Sequence, residues 1–206
     1  MFKIICVTNR HICRGGFRER IEEIAEAGAD AVILREKDMT EEDYRRLARE
    51  VMEVCGEKKT RCILHSFHKT AADLGCQALH MPLGALEALS EEQRSSFKIL
   101  GASCHSREEA VRARDLGCTY ITAGHIFNTD SKKGTPGRGL GFLRDICASV
   151  SIPVFAIGGI SSGNVMQVRE AGAAGACVMS GLMASSCPKE AVRRLRSSAE
   201  PPPAVF

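Results

Sequence analysis

The sequence lacks any apolar run long enough to cross a bilayer; its hydrophobic stretches are short, and each is broken by glycine or a charge. At the N-terminus, MFKIICVTNRHICRGG offers only Ile4–Val7 as a continuous apolar stretch, too short for the core of a secretion signal. A membrane partner is therefore not expected. An excess of one charge is lacking too: 28 Lys and Arg against 25 Asp and Glu leave a net charge of +3, with no basic stripe. Nucleic-acid binding relies on such a stripe, so nucleic acid is not an expected partner. Ten cysteines are present, yet no CxxC pair and no small-scaffold spacing occurs among them. Cys6, Cys118 and Cys177 lie in or beside apolar strand-like runs, where a thiol serves as a small hydrophobe. They read as reduced thiols of a cytoplasmic protein.

What is present is an alternation. Short β-branched apolar runs occur at Lys3–Thr8, Ala31–Leu34, Arg61–Leu64, Ala78–Met81, Ile99–Ala102, Tyr120–Ala123, Pro153–Ile157 and Gly175–Met179. Segments of helical character separate or follow them: Arg18–Ala27, Glu41–Val54, Lys69–Leu74, a short Leu86–Leu89 turn, Arg107–Leu116, Gly139–Ser149, Gly163–Ala171 and Pro188–Ser198. Thr40, Ser90 and Ser106 each precede acidic residues as helix caps, and Gly28, Gly75, Gly117 and Gly172 stand where helices end. Eight strand–helix units in 206 residues predict an α/β protein, a single (β/α)8 TIM barrel over residues 1–198. An open doubly wound sheet is the other architecture such units build, and the count of eight favours the barrel. Residues 199–206, rich in proline, are expected to form a loosely ordered tail.

In such a barrel the loops after the strands carry the function. All six histidines, His11, His65, His68, His80, His105 and His125, fall at or near strand C-termini. A metal centre is not expected: the one tempting spacing, Cys62 to His65 to His68, spreads its residues over opposite strand faces and a following helix. Phosphate is better supported. Ala156-Ile-Gly-Gly-Ile160 and Val178-Met-Ser-Gly181 place small residues after the seventh and eighth strands, where backbone N–H groups can approach an anion. Arg35, Lys37, Lys132 and Lys133 bring four cations to two loops of the same rim. The loop from Gly124 to Gly139, GHIFNTDSKKGTPGRG, adds an imidazole, the small hydroxyls of Thr129 and Ser131, and a row of glycines suited to bending back toward the next helix.

Leu34-Arg-Glu-Lys37, Gly101-Ala-Ser-Cys-His-Ser106, Thr129-Asp-Ser-Lys132, Ala156-Ile-Gly-Gly-Ile160 and Val178-Met-Ser-Gly181 together resemble the thiamine phosphate synthase superfamily, from about Lys3 to about Arg196. The synthase branch joins a pyrimidine pyrophosphate to a thiazole phosphate and holds magnesium with carboxylates. At the positions that match its carboxylates this chain has Ser66 and Ala85. Where synthases have Gly-Pro after the sixth strand, this chain has Gly124-His125, and the loop instead resembles the thiazole tautomerase branch. The resemblance implies proton transfer by His125 on a carboxythiazole phosphate, with no metal or cofactor.

Carried over on the same resemblance, Thr129, Ser131, Gly159 and Ser180 hold the substrate phosphate, helped by the backbone of Gly158 and Gly181. Arg35, Lys37, Ser103 and Lys132 match positions that hold the synthase's pyrophosphate; here they meet a substrate carboxylate or persist as remnants. His80 and His105 match residues that synthases also carry, which implies supporting roles. A divergent synthase and a non-catalytic thiazole-phosphate-binding regulator are the alternatives. The expected partner is a small phosphorylated thiazole, and a homo-oligomer is left open.

Overall fold

A computed structural model of the chain describes residues 1–200. The strands β1 (Lys3–Val7), β2 (Ala31–Leu34), β3 (Arg61–His65), β4 (Ala78–Pro82), β5 (Ile99–Cys104), β6 (Tyr120–Gly124), β7 (Val154–Ile157) and β8 (Gly175–Val178) pair in parallel in chain order. β8 returns to β1, with Lys3 opposite Gly175 and Cys6 opposite Val178, so the sheet closes into a (β/α)8 barrel. The apolar runs become strands that are covered on both faces. Ala31–Leu34, for example, is buried at every position, as a parallel sheet wrapped by helices requires.

The helices are α1 (Phe17–Glu26), α2 (Glu41–Glu57), α3 (His68–Asp73), α4 (Leu83–Glu87), α5 (Glu91–Ser95), α6 (Arg107–Asp115), α7 (Gly139–Ser149), α8 (Val165–Glu170), α9 (Ser180–Met183) and α10 (Pro188–Ser198). In α2 the buried residues Tyr44, Ala48, Val51 and Cys55 recur every three or four positions, forming the stripe that seats it on the barrel. Thr40 caps this helix by accepting a hydrogen bond from the Asp43 amide at 3.2 Å. Tyr44 then does a second job. Its fully buried hydroxyl donates to the Leu34 carbonyl at 2.7 Å and accepts from the His65 amide at 2.9 Å, pinning the ends of β2 and β3 together at the rim.

Three local expectations need correction. The turn placed at Leu86–Leu89 is instead α4, because Pro82 ends β4 and the chain passes straight into helix at Leu83. A separate helix, α5, follows Ser90, whose side chain and backbone form a reciprocal capping box with Gln93. At the C-terminus Ala199 is not loose tail. It is buried, caps α10 and accepts a hydrogen bond from Arg169 at 2.6 Å, and Glu200 donates to the Ser197 carbonyl at 3.2 Å; residues 201–206 of the expected tail lie outside the described residues.

All ten cysteines are free thiols, and Cys6, Cys55, Cys76, Cys104, Cys118 and Cys177 are buried. Burial pushes the Cys177 thiol up to about 12, consistent with a thiol used as a hydrophobe. Among the described residues, no helix is long and apolar enough to cross a membrane.

Candidate active site

A cavity of about 440 Å³ opens at the C-terminal ends of the strands. All eleven candidate residues line it. Arg35 and Lys37 come from the loop after β2, Ser103 from β5, and His125, Thr129, Ser131 and Lys132 from the loop after β6. Gly158 and Gly159 follow β7, and Ser180 and Gly181 open the single turn α9 after β8. A second, larger and more open cavity of about 1130 Å³, the outer cavity, shares Thr129, Ser131, Lys132, Gly159, Ser180 and Gly181 with the first. Lys133 lines only this outer cavity, so three of the four rim cations face the inner one.

The β6 loop is closed by its own hydrogen bonds. The amides of Arg138 and Gly139 return to the carbonyls of His125 and Ile126, each at 2.9 Å, and Gly137 donates to the Asn128 side chain at 2.8 Å. The start of the loop continues the sheet: Ile126 and Phe127 donate to the carbonyls of Ile157 and Gly158 at 2.9 and 3.1 Å. His125 is thereby held from both sides. Its Nε2 lies 3.1 Å from the Thr135 carbonyl, which can only accept, so Nε2 carries the proton. Nδ1 has no protein hydrogen-bond partner among the described residues.

Charge around the cavity is of one sign. No Asp or Glu lines it, and among the described residues no carboxylate pairs with Arg35, Lys37 or Lys132. Burial lowers the pKa of the Arg35 guanidinium, and Lys37 is lowered by Arg35, then by burial and by Lys132. Cations gathered at one rim with no carboxylate paired to them form a receptor for an anion, although Glu36 partly offsets the effect of burial on Arg35. Glu36, between Arg35 and Lys37, is turned away from this group. It is buried, accepts from Thr8 Oγ1 at 2.6 Å and from the Arg10 amide at 3.1 Å, and pairs with the Arg10 guanidinium at 3.2 Å. Thr8 in turn accepts from the Arg35 amide at 2.9 Å, so Glu36 fixes the loop that presents Arg35. Glu36 was not among the expected site residues, because its partners Thr8 and Arg10 lie on a different strand–loop unit, far from it in the sequence.

The same donor set bears on magnesium. A magnesium ion with pyrophosphate calls for hard anionic oxygens. Ser66 has none, Ala85 sits exposed on α4, Glu36 is committed to Thr8 and Arg10, and Asp130 lines only the outer cavity. The residues present do not fit the metal.

Beneath the cations the floor is polar and uncharged. His65, Ser103 and Thr122 reach the cavity, with His80 directly below. Both imidazoles are buried, their ring centroids 5.7 Å apart. Burial lowers each pKa to about 3; for His65, neighbouring His80, Arg35 and Lys37 add to the effect, and for His80, Arg35 does. Both rings are therefore neutral at physiological pH. His65 bonds Ser66 Oγ through Nδ1 at 2.8 Å. His105 is exposed and bonds the Gly124 carbonyl at 2.9 Å, a supporting contact to the loop that begins there. Thr122 and Tyr120, polar groups inside a strand, were the missed members of this floor.

Fold and cavity define a class: a (β/α)8 barrel whose active-end rim receives an anionic small molecule. The family described as thiamine monophosphate synthase matches residues 4–182, and the chain belongs to it. The chain is 34% identical to a thiamine-phosphate synthase of Fusobacterium nucleatum, covering 94% of this chain and 95% of that one. It is 31% identical to one of Clostridium acetobutylicum, covering 93% and 92%. Among solved structures, the thiamine phosphate pyrophosphorylase of Pyrococcus furiosus superposes with a TM-score of 0.83 at 28% identity, covering 96% of this chain and 95% of that one. The family is one of enzymes of thiamine biosynthesis that act on small phosphorylated substrates.

Proposed function

We propose that this member of the family is a thiazole tautomerase, converting a carboxythiazole phosphate tautomer to its aromatic isomer. One observation carries the reading: the cavity presents an imidazole with a free Nδ1, three unpaired cations and no carboxylate. Tautomerisation takes a proton from one atom of a conjugated system and returns one to another. Nδ1 of His125 accepts the first proton, the electron pair moves through the conjugated ring and carboxyl, and the imidazolium returns a proton at the second atom. Nothing is oxidised and no second substrate is consumed. Imidazole suits the task because it exchanges protons near neutral pH.

The substrate has two anionic ends, and two sets of residues in the cavity suit them. Thr129, Ser131, Gly159 and Ser180 take the phosphate, with the backbone of Gly158 and Gly181. Arg35, Lys37, Lys132 and Ser103 take the carboxylate, where their positive charge also stabilises electron density that develops as the proton leaves. The test follows the ultraviolet spectrum of the carboxythiazole phosphate with and without protein. Catalysed aromatisation that survives a chelator and is lost in His125→Ala is expected; unchanged activity in that variant removes His125 as the shuttle.

The relatives' names favour a second reading, a divergent thiamine-phosphate synthase. It requires magnesium-dependent condensation in a cavity that lacks acids. Turnover of the pyrimidine pyrophosphate with the thiazole phosphate and magnesium, at a rate above that of the isomerisation, would replace the tautomerase assignment.

A further inference from the structure

The floor of the cavity contains a hydrogen-bonded row whose direction can be read from its members. Tyr120 is buried on β6, and its hydroxyl lies 3.0 Å from His80 Nδ1. His80 Nε2 lies 2.9 Å from Ser103 Oγ, which opens onto the cavity. The two rings meet across β5 because the residue between them is Gly101, opposite His80 on one side and Tyr120 on the other. A methyl group there would stand 2.6 Å from His80 Nδ1 and 2.2 Å from Tyr120 Cζ.

Counting protons sets the direction. Burial keeps His80 neutral, its pKa lowered to about 3, so the ring has one donor and one acceptor nitrogen. Tyr120 Oη has no other hydrogen-bond partner among the described residues. If Nδ1 were the donor, the buried phenol proton would be left without an acceptor, which is the costly way to bury a hydroxyl. With the phenol donating to Nδ1, Nε2–H donates to Ser103 Oγ. Thr122 Oγ1 stands 3.4 Å from the same oxygen as a second donor. Ser103 then accepts from both, and its own proton is left for an acceptor in the cavity.

We propose that Tyr120 is a positioning residue: acting through His80, it commits Ser103 to donate a hydrogen bond to an anionic oxygen of the substrate. Assigning that oxygen to the thiazole carboxylate rests on the tautomerase reading; the direction of the row does not.

Nitrogen-15 NMR of the His80 ring in the ligand-free protein reads the direction. Nδ1 is expected to resonate as a bare nitrogen and Nε2 as a protonated one, and the opposite tautomer overturns the proposal. Tyr120→Phe keeps the ring and its edge contact with Phe155, whose centroid lies 5.6 Å away, and thermal melting confirms that the variant is folded. Affinity for the carboxythiazole phosphate is expected to fall about tenfold in Tyr120→Phe and in Ser103→Ala, with no further loss in the double variant. Parent affinity in Tyr120→Phe, or losses that add in the double variant, overturn the positioning role. A parent that binds the compound without isomerising it removes the tautomerase reading and leaves the proposal standing. If the parent does not bind it at all, that reading falls alone, and affinity of the same variants for inorganic phosphate decides the role of Tyr120.

Discussion

Gly158 and His125 lie so close that a methyl group on the glycine would stand 2.3 Å from His125 Cβ and 2.8 Å from its Cα. The end of β7 therefore acts as a wall that sets where the imidazole sits. Gly158 also has φ of 99°, a conformation that side chains rarely adopt. Gly158→Ala is expected to slow isomerisation by about tenfold or more and to destabilise the fold by roughly 1–3 kcal/mol. Gly172→Ala is the control. Its φ of 96° is similar and its nearest neighbour is Cys147, at 3.2 Å, so it should lose stability and keep its activity. Initial rates and thermal melting of both variants separate the two effects. Parent activity in Gly158→Ala would mean that the wall does not place His125.

Glu36 is expected to matter without touching the substrate. Glu36→Gln removes a charged acceptor from Thr8 and Arg10 and leaves the Arg10 guanidinium paired only with exposed Asp38. A loss of roughly 1–3 kcal/mol in denaturant unfolding is expected, as for other buried charge-assisted hydrogen bonds. Because the Arg35 amide hangs on Thr8, KM should rise more than kcat falls. Equal KM values in parent and variant would show that the loop holds its shape without this acid.

Acid sensitivity should begin above the range of ordinary carboxylates. His65 and His80 have pKa values lowered to about 3 in the fold, against about 6.5 in an unfolded chain. Between these values the unfolded chain binds protons that the folded rings refuse, so stability rises with pH across this window. The contribution is complete above about pH 6.5 and is lost progressively as pH falls toward 3. At pH 4.5 the loss amounts to roughly 2–3 kcal/mol per imidazole. Urea unfolding at pH 7 and pH 4.5 checks this. Equal stabilities at the two values would mean that water or relaxation admits the protons to the folded rings.

The alternation of apolar runs and helical segments was legible residue by residue. Every expected strand is present, with ends displaced by one or two positions at most. The rim was legible as well, because polar residues that follow an apolar strand in a barrel have one end to occupy. Less was legible inside the strands. Parallel strands are buried on both faces, so alternation does not mark which side faces the barrel interior. Thr122 and Tyr120 consequently read as ordinary strand residues, and nothing in the sequence marked Glu36 for burial.

By itself, the sequence determined the barrel, its order of strands and the set of side chains at their ends, because local periodicity and turn chemistry suffice for these. The tertiary structure alone decided which groups meet. It brought Arg35, Lys37 and Lys132 to one acid-free cavity, turned Lys133 outward and buried Glu36 against Thr8 and Arg10. It also joined Tyr120 to His80 across the missing side chain of Gly101. Charge pairing and proton direction depend on distances between residues far apart in the chain, and those distances exist only once the barrel has closed.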